Sequence, residues 1–252
     1  MLKKNHFHFS IDDVFASLIE ITDKNIPLKN HWFFKQLYNL WSKYQIKTSC
    51  NLFYEGFVNG NRRSLEQVRS IKDEIKEGWL YFGPHALNIG TPPYKQTNSN
   101  QIKTFDEIYN EIDRFAGTRH RCSFLRLHYY SESYQLANYW KKNKIKGIFT
   151  TDRKIGCHTM PKYIANELIK NGVAKYKETN LIRTDFRIEF LSKNKKINKK
   201  KILNIFEEKL KKKSFIIIYS HEYELKKKIN KHVTLQCASV LTDKIKLKNL
   251  KP

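Results

Sequence analysis

Phe7-His8-Phe9-Ser10-Ile11-Asp12-Asp13-Val14 is the stretch from which the rest of the chain is read. Phe7, Phe9 and Ile11 alternate with smaller or polar residues, the period-two pattern of a strand. The strand runs into two adjacent carboxylates. Val14-Phe15-Ala16-Ser17-Leu18-Ile19 then begins a helix or a structured loop that Pro27 ends. A carboxylate pair at the C-terminal end of a strand stands where α/β folds place their chemistry. The competing reading makes Asp12 or Asp13 the N-cap of the next helix, since Asp accepts bonds from free N–H groups there. A cap requires only one of them, and this stretch alone leaves the two readings level.

Working outward, strand and helix patterns alternate. Phe33, Phe34, Leu37, Leu40 and Trp41 recur at helical spacing between His31 and Tyr44, and Ile46 to Tyr54 reads as the next strand. Ser64 to Lys76 reads as a helix, with Ser64 and Gln67 in capping-box positions. Trp79 to His85 reads as a third strand, and Asn88 to Tyr94 as a Gly/Pro loop. Thr104 caps an expected helix from Phe105 to Phe115, with Glu107 as its box acid. Ser123 to Tyr130 is strand-like, Ser133 to Lys142 helical, and Gly147 to Asp152 a short strand. Met160 to Gly172 reads as a helix with Gly172 near its C-cap. Asn180 to Phe190 reads as a strand, half of a hairpin inserted near residues 156–195. Ile202 to Lys213 is an amphipathic helix leading to the apolar strand Phe215 to Ser220, which ends at His221-Glu222. The Lys-rich tail after Leu225 is undetermined by pattern. With no internal repeat and no composition break, residues 1–252 read as one α/β domain with a mostly parallel sheet, open or closed into a barrel.

The bulk properties narrow the function classes. The chain has 252 residues, 40% of them hydrophobic and 13% aromatic, enough for a sizeable core. No run of eighteen apolar residues occurs, so no transmembrane helix is expected. Met1-Leu2-Lys3-Lys4 leads straight to the first strand without the apolar segment of a signal peptide, which points to a cytoplasmic protein. Cys50, Cys122, Cys157 and Cys237 form no CxxC pair and read as reduced thiols. The net charge of +24 suits nucleic acid, anionic lipid or acidic glycan. However, the lysines sit in Lys/Asn/Ile-rich runs such as Lys199-Lys200-Lys201 and Lys211-Lys212-Lys213, the composition of a solvated surface.

The polar residues fall at strand ends: Asp12 and Asp13 after the first, His85 after the third, Arg126 and His128 in the fourth, Asp152 after the fifth, His221 after the last. In a parallel α/β barrel these ends share one face. Two carboxylates and up to three histidines there suit a divalent metal with N/O ligands and an open position, with a further Asp and His as base and acid. His6, His31, His120 and His232 read as ordinary surface or loop residues, His8 as an inward strand residue, and His158 stays ambiguous. Arg126 alone could simply pair a buried carboxylate.

The ordered set Ser10-Ile11-Asp12-Asp13, Phe82-Gly83-Pro84-His85, Arg126 with Tyr129 or Tyr130, Asp152, and Phe215 to His221 resembles the polysaccharide deacetylase, or NodB-homology, superfamily. The likeness runs from residue 6 to about 225. It implies a distorted (β/α) barrel of about seven strands, with Asp12 as general base, Asp13 and His85 as metal ligands and His221 as catalytic acid. Arg126 would pair with an acid, Asp152 or in its place Asp185. The superfamily's second metal histidine would fall where this chain has Ile89, and His128 is the candidate to replace it. The implied cofactor is a divalent metal, zinc first, with cobalt or nickel as alternatives.

The implied reaction removes an acyl group, N-acetyl first, from a sugar in bacterial surface-polysaccharide (lipopolysaccharide or capsule) biosynthesis. Asp12 would deprotonate a water and His221 protonate the leaving amine, with Glu222 or Asp185 setting its charge; Arg126 would hold Asp152 or Asp12 ionised. Tyr130 and Tyr94 are candidates to stack on sugar faces. The expected partner is an acetylated sugar or glycan, nucleotide- or lipid-linked, with peripheral association at the inner membrane face. Two alternatives stay open: a catalytically inactive glycan-binding protein on the same fold, and a basic nucleic-acid-binding protein.

Overall fold

The computed structural model describes residues 5–153, 158–194, 196–250 and 252. Its parallel framework consists of β1 (His6–Val14), β2 (Thr48–Phe53), β3 (Leu80–Ala86), β4 (Phe124–Leu125), β5 (Gly147–Thr150), β6 (Thr179–Arg183), β7 (Phe186–Arg187) and β8 (Phe215–His221). β1 lies between β2 and β8, and β3 extends the sheet beyond β2. Every residue of β2 and β3 is buried, as expected where both sheet faces are covered.

A second parallel ladder runs β4-β5-β6. Two seams join the ladders. At one, Phe82 of β3 bridges in parallel to Arg121, and the Cys122 N–H donates to the Phe82 carbonyl at 2.7 Å. Gly83 permits this approach: a Cβ there would stand 2.4 Å from Leu125 Cδ2. At the other seam, one chain path leaves β6 through Thr184 and Asp185 and becomes β7, which pairs with β8. Counting β6 and β7 as one bent strand, seven strand positions circle a distorted (β/α) barrel with its ladder interrupted at the seams. This is the barrel that the resemblance implied, and one of the two forms that the alternation left open.

Helices α1 (Ala16–Asp23), α2 (Trp32–Tyr44), α3 (Asn98–Phe115), α4 (Ala137–Lys142), α5 (Lys162–Asn171), α6 (Ile188–Ser192), α7 (Lys199–Leu210) and α8 (Lys228–Ser239) accompany the strands. α2 buries Phe33, Phe34, Leu37 and Leu40, the stripe visible in its spacing. α5 ends on Gly172 in the left-handed conformation, as expected. No helix among the described residues is long and apolar enough to cross a membrane. Cys50, Cys122 and Cys237 are buried free thiols, and Cys157 lies outside the described residues.

Several expected elements differ. The helix expected from Ser64 to Lys76 is only a 3-10 turn, Leu65–Gln67. Gln67 does accept the Ser64 N–H at 3.2 Å, but the chain then bonds outward instead of to itself. The Arg114 guanidinium takes the Leu65 and Val68 carbonyls at 2.8 and 2.7 Å, and the Ile71 N–H donates to Phe115. Helix α3 starts two turns early, capped by Thr97, whose hydroxyl accepts from Asn100, while Thr104 is buried inside it. The strand expected from Ser123 to Tyr130 keeps only Phe124–Leu125, because Tyr129 and Tyr130 take left-handed φ of 52° and 58°. Asn180 to Phe190 divides into β6, β7 and the start of α6. β6 pairs antiparallel with Val173–Tyr176 on one side and parallel with β5 on the other. The Lys-rich tail contains α8, anchored by buried Val233, Cys237 and Ala238.

Candidate metal centre

Asp12 and Asp13 are neighbours in sequence, and in a regular strand their side chains would point to opposite faces. A register shift against β2 between Ile11 and Val14 breaks that rule, and Asp13 sits at φ 60°. A left-handed non-glycine residue costs roughly 1–2 kcal/mol, less for Asp than for most. The bulge lets both carboxylates line one cavity of about 200 Å³. Neither caps α1, whose N-cap position is Phe15, with no side-chain cap. That task falls to Glu222, whose carboxylate accepts from the Phe15 and Ser17 N–H groups at 2.7 and 2.6 Å.

Asp13, His85 and His128 offer one donor atom each within 4.8 Å of one another. His85 Nδ1 lies 2.6 Å from the Arg126 carbonyl, and His128 Nε2 lies 3.1 Å from the Ile89 carbonyl. A carbonyl only accepts, so those nitrogens carry the protons. The lone pairs of His85 Nε2 and His128 Nδ1 therefore face each other at 3.2 Å, and Asp13 Oδ1 lies 3.1 and 3.6 Å from them. Asp13 Oδ1 is buried without a hydrogen-bond donor. Three lone-pair atoms turned on one point repel each other unless a cation sits among them, and backbone carbonyls orient both rings as they do in metal-bound histidines. The residues present thus fit a divalent metal. Burial first, and then His85, push the His128 pKa down to about 4, which keeps its lone pair free.

Arg126, fully buried, is engaged through both its backbone and its side chain. Its carbonyl orients His85, and its guanidinium donates to Ser10 Oγ at 2.6 Å, Asp12 Oδ1 at 3.3 Å and Thr184 Oγ1 at 3.2 Å. Asn51 Nδ2 adds a bond to Asp12 Oδ1 at 2.8 Å. The acid that pairs with Arg126 is therefore Asp12. Asp152 instead accepts from the Tyr130 hydroxyl at 3.2 Å and lies 3.4 Å from Arg187. Asp185 is fully buried between Lys209 and Lys213 and also accepts the Ile217 N–H, so it belongs to the scaffold. The Arg126 pairing expected for Asp152 or Asp185 is not formed, because Asp152 is engaged by Tyr130 and Arg187, and Asp185 by Lys209, Lys213 and the Ile217 N–H.

His221 stands beside Asp12 in the β1–β8 register and lines the same cavity. Its charge partner is Glu189 and neither Glu222 nor Asp185: Glu189 Oε1 lies 3.1 Å from His221 Nδ1 and accepts from the His221 N–H and Ser220 Oγ. Burial lowers the His221 pKa, but Glu189, Asp12 and Asp13 outweigh it and leave it raised.

Tyr130 lines the cavity, its hydroxyl in contact with Tyr219 and Arg187. Tyr94 does not line it; its ring stacks on His158 at 3.9 Å. His8 is buried in the barrel with both nitrogens unpartnered, while His31 and His120 bond Glu20 and the Leu80 carbonyl. The sequence reading missed Glu189, Asn51, Thr184 and Arg187. Asn51 follows the small residues Thr48, Ser49 and Cys50 in β2, where an amide does not stand out, and Glu189 carried no signal either.

No protein-family model matches the sequence, and no curated protein matches it. Solved structures do match. A 4-alpha-glucanotransferase from Thermococcus litoralis aligns at TM-score 0.55 and 12% identity over 97% of this chain, which spans 37% of that protein. A putative polysaccharide deacetylase from Mycobacterium smegmatis aligns at TM-score 0.53 and 8% identity, over 94% of this chain and 85% of that one. The catalytic domain of a peptidoglycan N-acetylglucosamine deacetylase from Eubacterium rectale aligns at TM-score 0.50 and 12% identity, over 99% and 89%. By fold, then, the chain is a distorted (β/α) barrel similar to those of these deacetylases and of the glucanotransferase.

Proposed function

We propose that this protein is a metal-dependent hydrolase that removes an acyl group, N-acetyl first, from a sugar or glycan. The fold alone does not decide the chemistry, since a glucanotransferase shares it. The observation that carries the reading is the convergence of Asp13 Oδ1, His85 Nε2 and His128 Nδ1 within 4.8 Å of one another, with Asp12 and His221 lining the same cavity. Asp13, His85 and His128 would hold the metal, zinc before cobalt or nickel, with His128 in place of the histidine that Ile89 displaces. Bound there, a divalent cation supplies Lewis acidity toward a carbonyl oxygen and lowers the pKa of water.

Asp12 takes the proton from the attacking water. Asn51 and Arg126 both hold its Oδ1, which aims the carboxylate and leaves Oδ2 for the proton. His221, whose pKa Glu189 raises, gives its proton to the departing amine. Tyr130 closes the far wall, fixed by Asp152 and Arg187, where a sugar ring would lie. What supports a place in surface-polysaccharide biosynthesis is the likeness of the motif set alone.

Metal content and acetate release test the reading together. Purified protein should take up about one zinc per chain and release acetate from acetamido sugars. A folded chain that binds glycan but neither holds zinc nor turns over would instead be the inactive binding protein.

A further inference from the structure

Against the metal centre opens a second cleft of about 560 Å³, walled by Phe15, Ala16, Phe53, Phe57, Ile89 and Tyr223. Asp13, Ile89 and Tyr223 also wall the polar cavity, so the two spaces adjoin at the candidate metal ligand Asp13. At the lip, large apolar side chains face solvent: Phe57 is 76% exposed, Ile89 68% and Tyr223 54%. Phe57 is carried there by a hairpin, Glu55–Val58 paired with Asn61–Ser64. An apolar patch of this kind beside a reaction site marks a surface that meets an apolar ligand.

The same cleft carries two cations, Arg62 and Lys226, beside the carboxylates of Asp13, Glu55 and Glu222; Glu222 is taken up by the Phe15 and Ser17 N–H groups. Arg62 is held by Glu55 at 2.6 Å. The Lys226 ammonium stands 5.2 Å from the Trp32 ring centre, and Lys227 and Lys228 continue the basic run. A sugar polymer needs neither hydrocarbon walls of this extent nor a cation at their edge; a sugar joined through phosphate to a long hydrocarbon chain needs both.

We infer that the substrate is such an amphiphile. Its chain lies in the Phe15–Phe53–Phe57 cleft, its phosphate meets Lys226, and its acylated sugar reaches Asp13, His85 and His128. The sugar end rests on the deacylase reading above; the occupant of the cleft is tested apart from it.

The test titrates alkyl phosphates from butyl to dodecyl, below their micelle concentrations, into the full-length protein by calorimetry. Affinity should rise on the order of fourfold for each methylene that enters the cleft. Phe57→Glu, at an exposed position that keeps the fold, should flatten that dependence. Lys226→Glu should weaken dodecyl phosphate on the order of tenfold while sparing a neutral dodecyl glycoside. Affinity independent of chain length would overturn the inference, as would a dependence unchanged in Phe57→Glu. So would a dependence seen only when the chain is the acyl group on the sugar nitrogen. Acetate release from short, soluble acetamido sugars by the wild-type protein reads the chemistry separately. Its absence alongside a retained chain-length dependence would count against the reaction and for the occupant.

Discussion

Replacing Glu189 by Gln removes one charge from His221 and leaves the side chain's size unchanged. Glu189 Oε1 accepts the His221 N–H at 2.9 Å and Ser220 Oγ at 2.8 Å, and lies 3.1 Å from His221 Nδ1. Both side chains are largely buried, at 17% and 10% exposure, so solvent screens the pair little. A hydrogen bond to a charged group is worth about 1.5–3 kcal/mol, and one pKa unit is about 1.36 kcal/mol. Glu189→Gln should therefore lower the His221 pKa by about one to two units. If His221 is the acid, kcat/KM falls as pH rises through its pKa, so the alkaline limb should move to lower pH by the same amount. The direct assay is the titration of the His221 ring resonances by NMR; the pH profile of acetate release is the functional one. A ring pKa lowered in the variant with the alkaline limb unmoved would refute His221 as the acid. A ring pKa that does not move would refute the electrostatic argument itself. The stability of the pair follows the same signs. His221, raised on folding, contributes fully below about 6.5 and loses this as pH climbs through its folded value. Glu189, lowered on folding, contributes fully above about 4.5 and loses this as pH falls through its folded value.

Asp12→Asn should lower kcat on the order of 10²-fold or more at unchanged zinc content; a variant of near wild-type turnover would remove Asp12 as base. His128→Ala should weaken zinc as much as His85→Ala does, and by more than the roughly 10–100-fold that losing a mere orienting partner costs; full occupancy by elemental analysis would take His128 out of the set. Glu222→Ala leaves the buried Phe15 and Ser17 N–H groups without an acceptor and should destabilise the fold by about 2–5 kcal/mol in urea unfolding, whereas a loss below about 0.5 kcal/mol would show that water replaces the carboxylate.

The alternation of Phe7, Phe9 and Ile11, the stripe on α2 and the apolar runs of β2, β3 and β8 are local, period-two or helical signals. They made an α/β chain with a mostly parallel sheet legible without coordinates, while the bounds of β4, β6 and β7 were not. Asp12, Asp13, His85, Arg126, His128 and His221 were legible for the same reason, because a parallel barrel collects its strand ends on one face. Pairing between those ends was not legible. Whether Asp12 or Asp152 meets Arg126 depends on the bulge in β1 and on where Thr184 falls at the seam, neither of which has a period. Glu189 reaches His221 only because the chain turns from β7 into α6 directly beside the end of β8. Ser64 to Lys76 carried good helix signals, yet Arg114 and Phe115 bind its backbone from 40 and more residues away, and that tertiary competition outweighs local propensity. The residue types that could do chemistry, and the face they share, were written along the chain; which atom points at which was decided by contacts between segments far apart in it, where side-chain periodicity carries no information.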